Sequence, residues 1–153
     1  MSVTAAMRLL RKAKVPFDVR KYDPKEKGAE YAAEALDWPL ESMVKTLVVA
    51  LSDGSFVLCC MPGDTELSLK NLARAAGAKG ARMTEPKEAE KLTGYFVGGI
   101  SPFGVRKRMA VWMHQTIPEF ETIGINGGRR GTILFLDPKR AVAALKARVA
   151  DLV

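Results

Sequence analysis

Val44-Lys45-Thr46-Leu47-Val48-Val49-Ala50-Leu51 and Ser55-Phe56-Val57-Leu58-Cys59-Cys60-Met61, joined by Ser52-Asp53-Gly54, decide the fold class of this chain. Both runs are apolar and rich in strand-forming residues, and Asp-Gly between two such runs is the strongest short-range signal for a β-hairpin. The first run looks buried. A lysine at its head, Lys45, is uncommon there unless its ammonium group has a partner. Two readings stay open for it: an end-of-strand lysine reaching out to water, or a fixed positive charge that grips a phosphate or carbonyl oxygen.

Upstream of the hairpin, Thr4 is placed to cap a helix in which Ala6, Leu9, Leu10 and Ala13 recur at helical spacing, leaving Arg8, Arg11 and Lys12 on the other side. Phe17 and Val19 alternate with Asp18 and Arg20 as in a half-buried strand leading to Tyr22. Asp23-Pro24 then punctuates the chain before a short alanine-rich helix from about Gly28 to Leu36, closed by Trp38-Pro39. Downstream, Ser68 caps a helix with Leu69, Leu72, Ala73 and Ala76 on one face and Gly77 at a left-handed end, and Thr84 caps a second helix over 86–93. Beyond Gly94 come short strand-like segments at 95–97, 109–113, 122–126 and 132–136. Asp137-Pro138 opens the last helix, whose apolar positions Ala141, Val142, Leu145 and Val149 should face the core. About seven strands and five helices, without repeats or linkers, predict a single α+β domain over 1–153. Its mixed or antiparallel sheet is expected to curl or close into a barrel-like core, with helices outside.

Lysine and arginine number 24 against 17 acidic residues, a formal charge of +7, which favours a polyanionic partner; a well-solvated basic surface is the bland alternative. No apolar run approaches the ~20 residues that span a bilayer, and Met1-Ser2-Val3-Thr4 lacks a secretory core, so a cytoplasmic protein is expected. Cys59 and Cys60 are neighbours, so in a strand they point to opposite faces and offer neither a disulfide framework nor zinc spacing. His114 is the only histidine, and the sequence identifies no Ser and Asp partners for it. With no phosphate-binding P-loop either, no metal and no cofactor are expected. Electrostatics is the chemistry left.

Gly98-Gly99-Ile100-Ser101-Pro102-Phe103-Gly104 reads as a binding loop, since paired glycines let backbone approach another molecule and Pro102 limits relaxation. A second such segment is Asn126-Gly127-Gly128-Arg129-Arg130-Gly131. Both loops could add backbone N–H donors to a pocket at Lys45 and stabilise a developing oxyanion without a general base; both could equally be tight turns. Arg106, Lys107 and Arg108, with Arg129 and Arg130, form either a phosphate track or solvated charge.

Val44-Lys45-Thr46-Leu47, Glu66-Leu67-Ser68-Leu69-Lys70-Asn71-Leu72-Ala73, Gly94-Tyr95 with 98–104, and Gly127-Gly128-Arg129-Arg130-Gly131 together resemble the YbaK family, which is related to the editing domain of bacterial prolyl-tRNA synthetases. The resemblance covers nearly the whole chain. It implies a barrel-like mixed sheet and a free-standing deacylase that cleaves the ester of mischarged aminoacyl-tRNA, notably tRNA for proline carrying cysteine or alanine. It makes Lys45 the essential lysine, holding the terminal adenosine phosphate or the aminoacyl group, and Gly98, Gly99, Ile100, Ser101 and Pro102 the loop that positions the ester carbonyl. It further points to Thr46 and Ser101 as polar contacts, and to Tyr22 and Tyr31 as pocket aromatics. Gly127 and Gly128 would complete the substrate contacts, with the acceptor end of tRNA as partner and an aminoacyl-tRNA synthetase as a second one. Some members acting on cysteinyl-tRNA carry an aspartate where this chain has Thr132-Ile133, which leaves the amino acid open. The competing reading is a non-catalytic RNA- or synthetase-binding module of the same fold; a third is a phosphate-ligand binding protein without RNA.

Overall fold

The computed structural model describes residues 3–153; Met1 and Ser2, part of the stretch read above for a leader, lie outside the described residues. Helix α1 (Ala5–Lys12) starts where expected, with Thr4 Oγ1 accepting the Met7 N–H at 3.2 Å. Strand β1 (Asp18–Lys21) and helix α2 (Ala29–Ala35) lead into the hairpin of β2 (Met43–Leu51) and β3 (Phe56–Pro62), paired antiparallel from Val44↔Pro62 to Ala50↔Phe56. Helix α3 (Leu69–Ala76) is capped by Ser68 Oγ on the Asn71 N–H at 3.0 Å, and Gly77 ends it at φ 74°. Then follow β4 (Ala81–Met83), α4 (Pro86–Thr93), β5 (Ala110–His114), β6 (Ile123–Asn126), β7 (Thr132–Leu136), α5 (Pro138–Leu145) and β8 (Arg148–Ala150).

The eight strands form one mixed sheet in the order β1-β7-β6-β2-β3-β5-β8, with β4 added to β2. The β2–β6, β3–β5 and β5–β8 pairs are parallel and the rest antiparallel. The sheet does not close into a barrel, which corrects the expectation above: its ends β1 and β8 do not pair. Both are short and mostly exposed, and carry Asp18, Arg20, Lys21 and Arg148, the kind of charged edge that resists further strand pairing.

Helices cover both faces. Ala6, Met7 and Leu10 of α1, Ala89 of α4 and Ala141 of α5 pack with Val44, Val48, Leu58, Cys60 and Leu134 on one side. Leu72 of α3 packs with Val49, Cys59, Met61 and Trp112 on the other, so the two cysteines do part to opposite faces. A third cluster joins Ala32, Ala33 and Leu36 to Met43, Ile133 and Phe135 under α2. Among the described residues no helix is long and apolar enough to cross a membrane.

Four local expectations need correction. Residues 95–97 are not a strand: Thr93 Oγ1 accepts the Tyr95 N–H at 3.1 Å and Tyr95 Oη donates to the Phe103 carbonyl at 2.6 Å, which folds the segment back on itself. Thr84 does not cap α4; its hydroxyl donates to the Val48 carbonyl at 2.8 Å, and Glu85 holds the cap position. Helix α5 stops at Leu145 because Lys146 turns left-handed at φ 51°, so Val149 lies in β8 and is exposed. Strands 81–83 and 148–150 were not anticipated.

Candidate active site

Strand β6 pairs with β2 only at Met43 and Val44, and β4 joins the same side of β2 at Val49, so the edge from Lys45 to Val48 has no strand beside it. The Leu51 N–H bonds Ser55 across the hairpin at 2.8 Å, and the antiparallel alternation therefore turns the main-chain groups of Thr46 and Val48 away from β3. Thr84 takes the Val48 carbonyl through its own N–H at 3.2 Å and through its hydroxyl. The N–H and C=O of Thr46 are left facing the gap. A cleft of about 340 Å³ opens there. Because the edge is bare, both faces of β2 reach it: Val44, Thr46 and Val48 from one, Met43, Lys45 and Leu47 from the other. Ala29 and Ala32 of α2, Pro86 and Ala89 of α4, and Ile133 of β7 add apolar wall, while Val97, Gly98 and Ile100 come from the loop after α4.

Lys45 is half-buried, and its ammonium donates to the Thr65 carbonyl. A lysine has three N–H bonds, so two remain for another acceptor. Tyr22 lines the cleft with its ring centroid 6.0 Å from that of Tyr31, and burial raises its pKa, with a Gly131 backbone hydrogen bond and the Arg130 charge pulling the other way. It is a neutral phenol at physiological pH. Two lining residues hold buried side-chain oxygens without a hydrogen bond of good geometry, Thr46 Oγ1 and Asn126 Oδ1. The Asn126 amide is oriented by its other end, Nδ2 donating to the Gly98 carbonyl at 2.8 Å. Among the described residues no carboxylate, imidazole or thiol lines the cleft; its charged groups are Lys45 and Lys27.

Of the residues singled out from sequence, the cleft gathers Tyr22, Lys45, Thr46, Gly98 and Ile100. Tyr31, Gly99, Ser101, Pro102, Gly127 and Gly128 are not on its lining. The two glycine segments pack on each other: a Cβ on Gly99 would sit 2.8 Å from the Arg130 backbone nitrogen, and one on Gly128 2.8 Å from the Tyr95 ring. The Gly99 N–H is bonded to the Phe96 carbonyl and that of Gly127 to the Thr132 carbonyl, at 2.8 and 2.9 Å. Ser101 is fully buried, its hydroxyl accepting the Phe103 N–H at 3.2 Å. Arg106, Lys107 and Arg108 are exposed; Arg106 lies against Gly94 and Lys107 sits 5.6 Å from the Phe56 ring centroid. The Arg130 side chain covers Gly98 and donates to the Pro24 carbonyl at 3.2 Å, while the Arg129 backbone packs on Gly99.

The sequence model of the aminoacyl-tRNA editing domain matches residues 23–143. This chain belongs to the aminoacyl-tRNA editing domain family. It is 32% identical over 151 residues to "Putative Cys-tRNA(Pro)/Cys-tRNA(Cys) deacylase EbsC" of Enterococcus faecalis, covering 97% of this chain and 92% of that protein. It is 35% identical over 86 residues to a proline–tRNA ligase of Thermosipho africanus, a match that takes in 56% of this chain and 15% of the ligase. A solved structure described as "a putative trans-editing enzyme for prolyl tRNA synthetase" matches with a TM-score of 0.88 at 25% identity, over 99% of this chain and 98% of that one. The editing-domain family is one of deacylases, so mischarged tRNA is its substrate class. Within this editing domain, sequence reasoning missed Lys27, Met43, Met83, Thr84 and Asn126 on the cleft. Only Asn126 carried a local signal, its position directly before Gly127-Gly128.

Proposed function

We propose that this editing-domain chain is a free-standing trans-editing hydrolase that cleaves the ester of tRNA for proline carrying cysteine, alanine or another small amino acid. The observation that carries the reading is the cleft at the unpaired edge of β2, apolar in its walls, with Lys45 and the Thr46 main chain at its margin and, among the described residues, no carboxylate, imidazole or thiol on its lining. Small walls such as Ala29, Ala32 and Ala89 suit a small aminoacyl side chain, and Ile133 keeps the pocket apolar.

An aminoacyl ester is already activated, so holding it and stabilising charge on its carbonyl oxygen suffices. The Thr46 N–H, fixed by the strand, polarises that carbonyl, and the free N–H bonds of Lys45 hold the phosphate of the terminal nucleotide. Water, or a hydroxyl or thiol of the substrate itself, adds to the carbonyl carbon; the ribose oxygen leaves and takes the proton. Arg106, Lys107, Arg108 and Arg130 lead the acceptor strand to the cleft. The work belongs in the cytoplasm, where tRNA is charged, with a synthetase as the source of the mischarged product.

The test is single-turnover hydrolysis of a panel of mischarged tRNAs by wild type and Lys45→Ala, with thermal melts as a control for folding. Losing an oxyanion or phosphate contact of roughly 3 kcal/mol slows the reaction about a hundredfold or more. Wild-type rates for Lys45→Ala on every tRNA in the panel overturn the assignment.

A further inference from the structure

Phe96 is 79% exposed, the most exposed large apolar side chain among the described residues, and it directly precedes Val97 and Gly98 on the cleft. A single exposed phenylalanine in a floppy loop would mean little. This loop is tied at every neighbouring residue. Tyr95 is buried and bonded at both its N–H and its hydroxyl; the Val97 N–H is held by the Glu90 carboxylate at 2.8 Å; the Gly98 carbonyl is held by Asn126; and the Gly99 N–H closes a turn onto the carbonyl of Phe96 itself. The fold thus spends five hydrogen bonds on a turn that holds an aromatic side chain out in water. Cations lie against the residues two before and two after it, Arg106 at Gly94 and Arg130 over Gly98. A second exposed apolar side chain, Met83, lies on the cleft lining at 43% exposure.

An aromatic ring on a tied turn with cations nearby, beside a cleft for the esterified end of an RNA, fits a nucleobase: the ring stacks while the cations meet neighbouring phosphates. We infer that Phe96 is the stacking platform for a base just outside the cleft, on the 5′ side of the esterified nucleotide. This rests on the reading of the cleft as the site for the acylated end of tRNA. Charge complementarity favours RNA over a protein partner at this spot. Stacking has no hydrogen-bond code, so the platform accepts any base and adds affinity rather than sequence preference.

The experiment uses RNA hairpins with a single-stranded 3′ end, 2-aminopurine replacing each of the last three nucleotides in turn, with fluorescence quenching and anisotropy read together. Wild type is expected to quench one position on binding, Phe96→Tyr to keep the quench, and Phe96→Ala and Phe96→Leu to lose it and bind roughly 5- to 150-fold more weakly. On mischarged tRNA, Phe96→Ala raises KM and leaves kcat unchanged. Tight RNA binding with no quench at any position, or with Phe96→Leu as good as wild type, overturns the stacking inference and leaves the deacylase reading standing. No RNA binding by wild type, in a preparation that also fails to deacylate, overturns both.

Discussion

Gly99→Ala is a sharp test of how the two glycine segments make the site. A Cβ there would lie 2.8 Å from the Arg130 nitrogen, 2.9 Å from the Arg129 carbonyl carbon and 3.0 Å from the Arg129 Cα, all of them backbone atoms. None can swing aside as the tip of a side chain can, so the 98–104 loop must move off the 127–131 turn by several tenths of an ångström. Overpacking of this kind costs roughly 1–3 kcal/mol, and the stiffer unfolded chain of an alanine variant returns about 0.4–1 kcal/mol. The net loss of up to about 2.6 kcal/mol, at roughly 2–4 °C per kcal/mol for a chain of this size, is a melting temperature lower by up to roughly 10 °C. Gly80→Ala is the matched control, because a Cβ at Gly80 meets nothing within 4 Å and its φ is not positive. There only the unfolded-state effect remains, and the melt should hold or rise. The two variants must therefore shift in opposite directions or differ clearly in the same scan. Displacing Gly98 and Ile100 from the cleft should also slow single-turnover deacylation by Gly99→Ala and not by Gly80→Ala. A Gly99→Ala protein as stable and as fast as wild type refutes the claim that close packing of these turns builds the cleft.

Asn126→Ala frees the Gly98 carbonyl, and loss of a bond of about 1 kcal/mol should lower kcat/KM about fivefold or more; an unchanged value removes Asn126 from the site. Arg106→Ala should flatten the slope of log affinity against log salt by about 0.7 for single-stranded RNA, and an unaltered slope takes it off the phosphate path. Burial pushes the Cys60 thiol up to about 12 and raises Cys59 further, so neither should react with a disulfide reagent at pH 8 until the protein unfolds. Burial likewise raises Tyr95 to about 12, so its neutral form stabilises the fold fully below pH 10 and that contribution fades as pH climbs through 12. Tyr95→Phe, which cannot ionise, should be less stable at pH 8 by about 1 kcal/mol and close the gap between pH 10 and 12 in urea titrations.

How legible the fold was tracks how local each signal is. The hairpin and the caps at Thr4, Ser68 and Asp137 depend on residues within a few positions of one another, and all four formed where the sequence placed them. Tyr95-Phe96-Val97 looked like a strand on residue preference alone, but the bond from Tyr95 to Phe103 and the turn at Gly98 are tertiary choices. Barrel closure failed for the same reason: whether β1 meets β8 depends on the 126 residues between them, and the charges on Asp18–Lys21 and Arg148–Ala150 disfavour pairing without deciding it. For the site, Lys45 stood out because a cation in an apolar run breaks a rule. Lys27 and Thr84 break none: Thr84 reaches the cleft because it directly follows β4, three residues with no periodic pattern that dock on β2, and Lys27 because it sits just before α2.

The open sheet and the proposed chemistry are linked. Were β6 to continue along β2, or β4 to reach back toward it, the next rungs of the ladder would consume the N–H and C=O of Thr46, and the gap that forms the cleft would be filled by strand. A ladder that stops at Val44 and resumes at Val49 leaves strand-rigid main-chain groups turned toward a cleft that water and a ligand can enter. Rigid donors of this kind need no reorganisation when charge develops on a carbonyl oxygen, the condition under which an oxyanion can be stabilised without a base or nucleophile. The absence of carboxylate, imidazole and thiol from the cleft lining is then consistent with the proposed hydrolysis. In the proposed site the glycine turns contribute through Gly98 and Ile100 at the cleft, and through the packing of Gly98 and Gly99 on Arg129 and Arg130 that holds this loop in place.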